Sequence, residues 1–102
     1  MQNTCKFRGG IRKGTSYLLA ANYTWPFAVM EITNESICLS AFATKYVFDA
    51  GVILAIKKYD GMFSKGIQIE HNVDSIPKFV VFWTFQREAI IKCLIEHGYR
   101  LD

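Results

Sequence analysis

Between Thr84 and Gly98 the apolar residues fall three and four positions apart, and that period constrains the fold more than any other feature. Ile90, Ile91, Leu94 and Ile95 form one stripe, while Glu88, Lys92 and Glu96 share the opposite face. Thr84 can serve as N-cap and Gly98 as the left-handed residue that ends a helix, so the pattern predicts a helix over residues 85–97. A single helix with a single apolar stripe cannot cover itself. It needs a sheet or a barrel to pack on.

The residues upstream supply strands. Residues 16–22 read as a first strand, followed by a turn at Asn22-Tyr23-Thr24-Trp25-Pro26, because Pro26 disfavours helix at Trp25 and cannot donate to a central ladder. Residues 27–33 and 37–41 read as a hairpin about Asn34-Glu35-Ser36. A short strand at 45–48 precedes the turn Asp49-Ala50-Gly51. Residues 52–59 suit either helix or buried strand by periodicity, and their β-branched residues with the following Asp60-Gly61 favour strand. Strict alternation over 66–71 puts Ile67, Ile69 and His71 on one face. Residues 78–83 are apolar on both faces, which calls for burial on both. The expected fold class is mainly β: an antiparallel, seven-stranded barrel or sandwich capped by one C-terminal α-helix.

At 102 residues, with 51% hydrophobic and 21% charged residues, the chain can bury a core without metal or disulfides. Lys6, Arg8, Arg12 and Lys13 crowd the first 13 residues, where no acid occurs and Gly9, Gly10 and Gly14 punctuate the chain. Residues 1–14 are therefore expected as a solvated basic arm, and residues 15–102 as a single domain. Cys5, Cys38 and Cys93 make an odd, widely spaced set, neither a disulfide framework nor a zinc signature, which suggests a reducing cytoplasm. No apolar run approaches the length of a membrane span, so any membrane contact is expected to be peripheral.

The stretches KYVFDAGVILAIKKYDGMFSKGIQIEHN and PKFVVFWTFQREAIIKCLIEHGYRL, within residues 45–101, carry a resemblance. A short strand ending in an aromatic is followed by an Ile-rich strand and a Gly-Ile-x-Ile-x-His strand. An aromatic strand then leads into a helix ending in Gly-aromatic-x-Leu. This order resembles the pleckstrin-homology-like superfold, in particular small bacterial PH-like and GRAM-type domains. The resemblance implies a non-enzymatic module that binds lipid head groups or proteins, or assembles into oligomers. Phosphoinositide-binding members carry Lys and Arg around the first loop, whereas residues 22–26 here hold no basic residue.

Catalytic and metal signatures are sparse. Cys93 and His97 stand at i, i+4 on the predicted helix, but two ligands fall short of a zinc site, and packing at the core edge is the simpler reading. His71 reads as a satisfied, partly buried histidine, Cys38 as an inert core thiol and Cys5 as part of the arm. No P-loop, G-x-S-x-G or G-x-G-x-x-G occurs. No cofactor, no metal, no nucleic acid and no enzymatic activity are expected. The first reading is therefore a protein-binding or self-associating module. The alternative is peripheral binding to anionic lipid head groups through Arg12, Lys13, Tyr23, Trp25, Lys57, Lys58 and Lys65, and a small enzyme subunit comes after that.

Overall fold

The computed structural model describes residues 4–14, 20–61 and 65–102, with residues 20–25 described by their backbone alone. Among these residues seven strands precede one helix: β1 (Cys5–Gly14), β2 (Ala20–Ile32), β3 (Ser36–Ala41), β4 (Thr44–Asp49), β5 (Ile53–Asp60), β6 (Lys65–His71), β7 (Phe79–Trp83) and α1 (Arg87–Glu96). A 3-10 turn, Ala50–Val52, joins β4 to β5. Every strand pair is antiparallel, in the order β4-β3-β2-β1-β7-β6-β5. Two hairpin runs thus meet at the β1–β7 seam, and their inner faces share one core. Ile37, Leu39 and Phe48 from one run join Ile56, Ile67 and Ile69 from the other, closed over by Ile90 and Leu94 of α1.

Alternation explains most of these strands. In β3, Ile37, Leu39 and Ala41 are buried while the residues between them are half-exposed. In β7 Val80, Val81 and Phe82 are all fully buried, as its doubly apolar sequence requires, and the strand is central, with β1 and β6 paired on either side.

Residues 5–14 overturn the expected basic arm: they form β1, the strand that joins the two runs. Lys6, Arg8 and Arg12 sit between inward residues such as Phe7 and Ile11, so the positive charges occupy one face of a strand rather than a loose tail. Gly10 lies where a Cβ would overlap the Trp83 indole. Gly9 and Gly10 thus make room for the neighbouring strand β7.

The turn expected at Trp25-Pro26 is also absent. β2 continues through it, and the β1–β2 register jumps from Gly9↔Ala28 to Ile11↔Tyr23. Residues 24–27 therefore bulge opposite Gly10, and a bulge is where a strand can hold a proline without losing a ladder bond. Of the first strand expected over 16–22, residues 16–19 lie outside the described residues.

The helix starts later than predicted. Its N-cap is Gln86, not Thr84, whose hydroxyl instead donates to Arg8 O at 3.1 Å and accepts from Gln86 N at 3.0 Å, pinning the end of β7 to β1. Its C-terminus follows the sequence reading. Gly98 has φ +90°, Tyr99 N donates to Leu94 O at 2.9 Å and Gly98 N to Ile95 O at 3.1 Å, which together make a Schellman motif. Ile90 and Leu94 are buried, but Ile95, expected in the stripe, is 61% exposed. The chain then runs back along β5, where Asp102 N donates to Ile56 O at 2.8 Å.

The β6–β7 ladder leaves no space at Gly66. A Cβ there would overlap the carbonyl oxygen of Phe82 and come within 2.7 Å of the Trp83 Cα, both backbone atoms that cannot swing aside. Gly66→Ala is expected to cost about 1–3 kcal/mol by forcing β6 off β7. Urea denaturation would read this as a lower midpoint, and an unchanged midpoint would contradict the close approach.

Candidate interaction surface

Four aromatic side chains collect at one end of the sheet. Ala41 of β3 pairs with Ala28 of β2, which pairs with Gly9 of β1, and the adjacent Gly10 pairs with Trp83 of β7. Ala28 and Ala41 point into the core, so their neighbours Phe27 and Phe42 project from it, 55% and 75% exposed. Their ring centroids are 5.5 Å apart. Phe42 holds φ 53° in the β3–β4 turn, an uncommon conformation for a bulky residue. Across the Gly9-Gly10 strip, the half-buried Trp83 indole meets the ring of Phe85 edge-on at 6.3 Å, and Phe85 is 79% exposed. The sequence carried the individual residues but not their assembly, which depends on the register of four strands.

The residues proposed from sequence do not converge. Lys13 of β1 donates to Tyr46 Oη at 2.9 Å and lies over that ring, 5.3 Å from its centroid. Arg12, the next residue, belongs to the opposite face of the strand. Lys57 is ion-paired with Glu70 at 2.7 Å, and this hydrogen bond raises the lysine's pKa. Lys58 and Lys65 are exposed near the end of the β5–β6 hairpin. There Arg87 bonds Asp60 Oδ1 at 2.8 Å and Tyr59 O at 3.1 Å, and its guanidinium lowers the Asp60 pKa. β7 separates β1, which carries Arg12 and Lys13, from β6 and β5, which carry these lysines. The side chains of Tyr23 and Trp25 lie outside the described residues.

The cysteines require a correction. Cys5 and Cys93 are disulfide-bonded across 88 positions, because β1 is a core strand whose first residue passes over α1. Sequence spacing alone could not pair them. His97 stands beside the bridge, its Nδ1 3.5 Å from Cys93 Sγ and 2.9 Å from Cys93 O. Cys38 is free, and burial raises its thiol pKa, partly offset by Lys45. His71 is structural, as read: Val73 N donates to its Nδ1 at 3.0 Å, leaving Nε2–H to donate to Pro77 O at 2.9 Å.

A groove of about 350 Å³ runs between β5 and the residues after α1, lined by Ile53, Leu54, Ile56, Tyr99, Arg100 and Asp102. Leu54 on its rim is 63% exposed. No helix among the described residues is long and apolar enough to cross a membrane. No protein-family model, curated protein or solved structure matches the chain.

Proposed function

We propose that this chain is a non-enzymatic interaction module of the pleckstrin-homology-like kind, which binds a protein partner or a second copy of itself through the Phe27–Phe42–Trp83–Phe85 surface. The observation that carries this reading is the grouping. Single exposed apolar residues are ordinary, but here three phenylalanines more than half exposed, with a tryptophan among them, are brought by register to one end of a sheet as two ring pairs. Aromatic rings of this kind are enriched in the centres of protein interfaces. The PH-like part of the reading is supported by the element order: a four-strand run, a three-strand run joined to it through β1 and β7, and a helix last. Lipid binding is the weaker reading, because Lys57 and Lys13 are engaged within the protein and the remaining candidate bases are scattered.

Light scattering and sedimentation over a wide concentration range test the proposal, with immobilised wild-type chain as bait for a stoichiometric partner. Association that Phe42→Ser and Phe85→Ser each weaken by about tenfold or more, near 1.4 kcal/mol, is the expected result. A wild-type monomer at every concentration with no stoichiometric partner would sink the reading. So would salt-sensitive binding to anionic vesicles that both serine variants retain.

A further inference from the structure

We propose that, once the Cys5–Cys93 disulfide is reduced, Cys5, Cys93 and His97 form a two-thiolate, one-imidazole site for a soft closed-shell cation, Zn²⁺ or Cu⁺. The disulfide and the metal-bound state are then alternative forms of one site.

Three potential ligands from two distant parts of the chain meet here, with their ligand atoms all within 4.8 Å of one another. The helix supplies two of them, since Cys93 and His97 are one turn apart, and the start of β1 supplies the third. The Cys93 Sγ to His97 Nδ1 distance is 3.5 Å. Metal–sulfur and metal–nitrogen bonds of about 2.3 and 2.0 Å, opened to the tetrahedral angle, span an edge of about 3.5 Å. That pair therefore already stands at ligand spacing. The two sulfurs must move apart, to about 3.8 Å in the same geometry, which reduction allows, and the Cys5 Sγ to His97 edge, now within 4.8 Å, must settle at about 3.5 Å. Two thiolates and an imidazole select Zn²⁺ and Cu⁺ over hard cations such as Mg²⁺ and Ca²⁺.

The chemistry balances. A dithiol reductant gives two electrons and two protons to the Cys5–Cys93 bond, its own sulfurs closing into a disulfide. Metal binding then releases the two thiol protons to solvent. The short contact from His97 Nδ1 to Cys93 O at 2.9 Å fits an N–H donor. Ligation through Nδ1 moves that proton to Nε2 and exchanges the hydrogen bond for the metal bond. Cys93 is 3% exposed, while Cys5 and His97 are half-buried, so the site is shielded yet open on one side. Two protein thiolates and one histidine complete a trigonal Cu⁺ site, and Zn²⁺ takes a water as its fourth ligand.

The test uses the full chain in three states: oxidised, reduced and metal-free, and reduced with one equivalent of Zn²⁺, of Co²⁺ as a spectroscopic substitute, or of Cu⁺ against a chromophoric chelator. One-to-one binding by the reduced chain alone is expected, with a sulfur-to-cobalt charge-transfer band. His97→Ala, which leaves the disulfide intact as a check on folding, should weaken binding more than about 100-fold, beyond what loss of an outer-shell partner costs. Cys5→Ser should abolish the charge-transfer signature of a two-sulfur site. If the reduced chain loses structure, refolding by one equivalent of metal supports the proposal, and failure to refold overturns it. Equal binding by the oxidised chain, binding indifferent to His97→Ala, or no binding by a folded reduced chain also overturns it.

Discussion

Phe82→Ala is expected to lower the stability of the protein by about 3–5 kcal/mol, the range for emptying a buried aromatic site. Phe82 is fully buried in β7, and its ladder partners on either side are Ile11 of β1 and Ile67 of β6, both also fully buried. The backbone closes in around it as well, since a Cβ on Gly9 would come within 2.8 Å of its ring. These walls are central strands held by ladders on both sides, so they cannot collapse into the space a ring leaves, and the cavity cost adds to the lost burial. For a domain whose total stability is on the order of 5–15 kcal/mol, the loss is a large fraction. Urea denaturation should show a much lower midpoint at similar slope, with a fall in Tm of roughly 20 °C. Phe85→Ser makes the comparison, because its ring is 79% exposed and its removal should change stability by less than about 0.5 kcal/mol. Equal losses from the two variants would mean that the seam is not where the core is centred.

That contrast between Phe82 and Phe85 also marks how far the sequence could be read. β3 and β6 were legible because each buries a repeating face, and the pattern of Ile37, Leu39 and Ala41 or of Ile67 and Ile69 is fixed within a few residues; β7 was legible because it is apolar on both faces. The Gly98 stop was legible for the same local reason. β1 was not. Its glycines and charges look like a linker, and only the indole of Trp83 lying over Gly10 explains why side chains are missing there. Pro26 misled in the same way, since a proline breaks a regular ladder but fits a bulge whose existence depends on the partner strand. The proposed interaction surface needed still more. Phe27, Phe42, Trp83 and Phe85 span 59 positions, and nothing in their separate contexts brings them together.

The Cys5–Cys93 pair lies furthest beyond local reading, and removing it is expected to cost about 2–4 kcal/mol. The bond closes a loop across 88 positions, long enough that the unfolded chain loses considerable freedom by being tied. The native chain depends on it locally too. β7 pairs with Gly10–Gly14 of β1, so the Cys5–Gly9 half has β2 on one side and, among the described residues, no ladder partner on the other. That open side is held by the Thr84 hydroxyl on Arg8 O and by the bridge to α1. The variant carrying both Cys5→Ser and Cys93→Ser should therefore unfold at lower urea, and with a steeper slope, because its denatured state is freed to expand. Hydrogen exchange should quicken first at Cys5–Gly9 and in the last turn of α1, before the β6–β7 ladder opens. Adding a reductant with a chelator present should bring the wild type down to the variant's midpoint and leave the variant unmoved. Identical wild-type midpoints with and without reductant would show that the bridge contributes nothing to holding β1 against the helix.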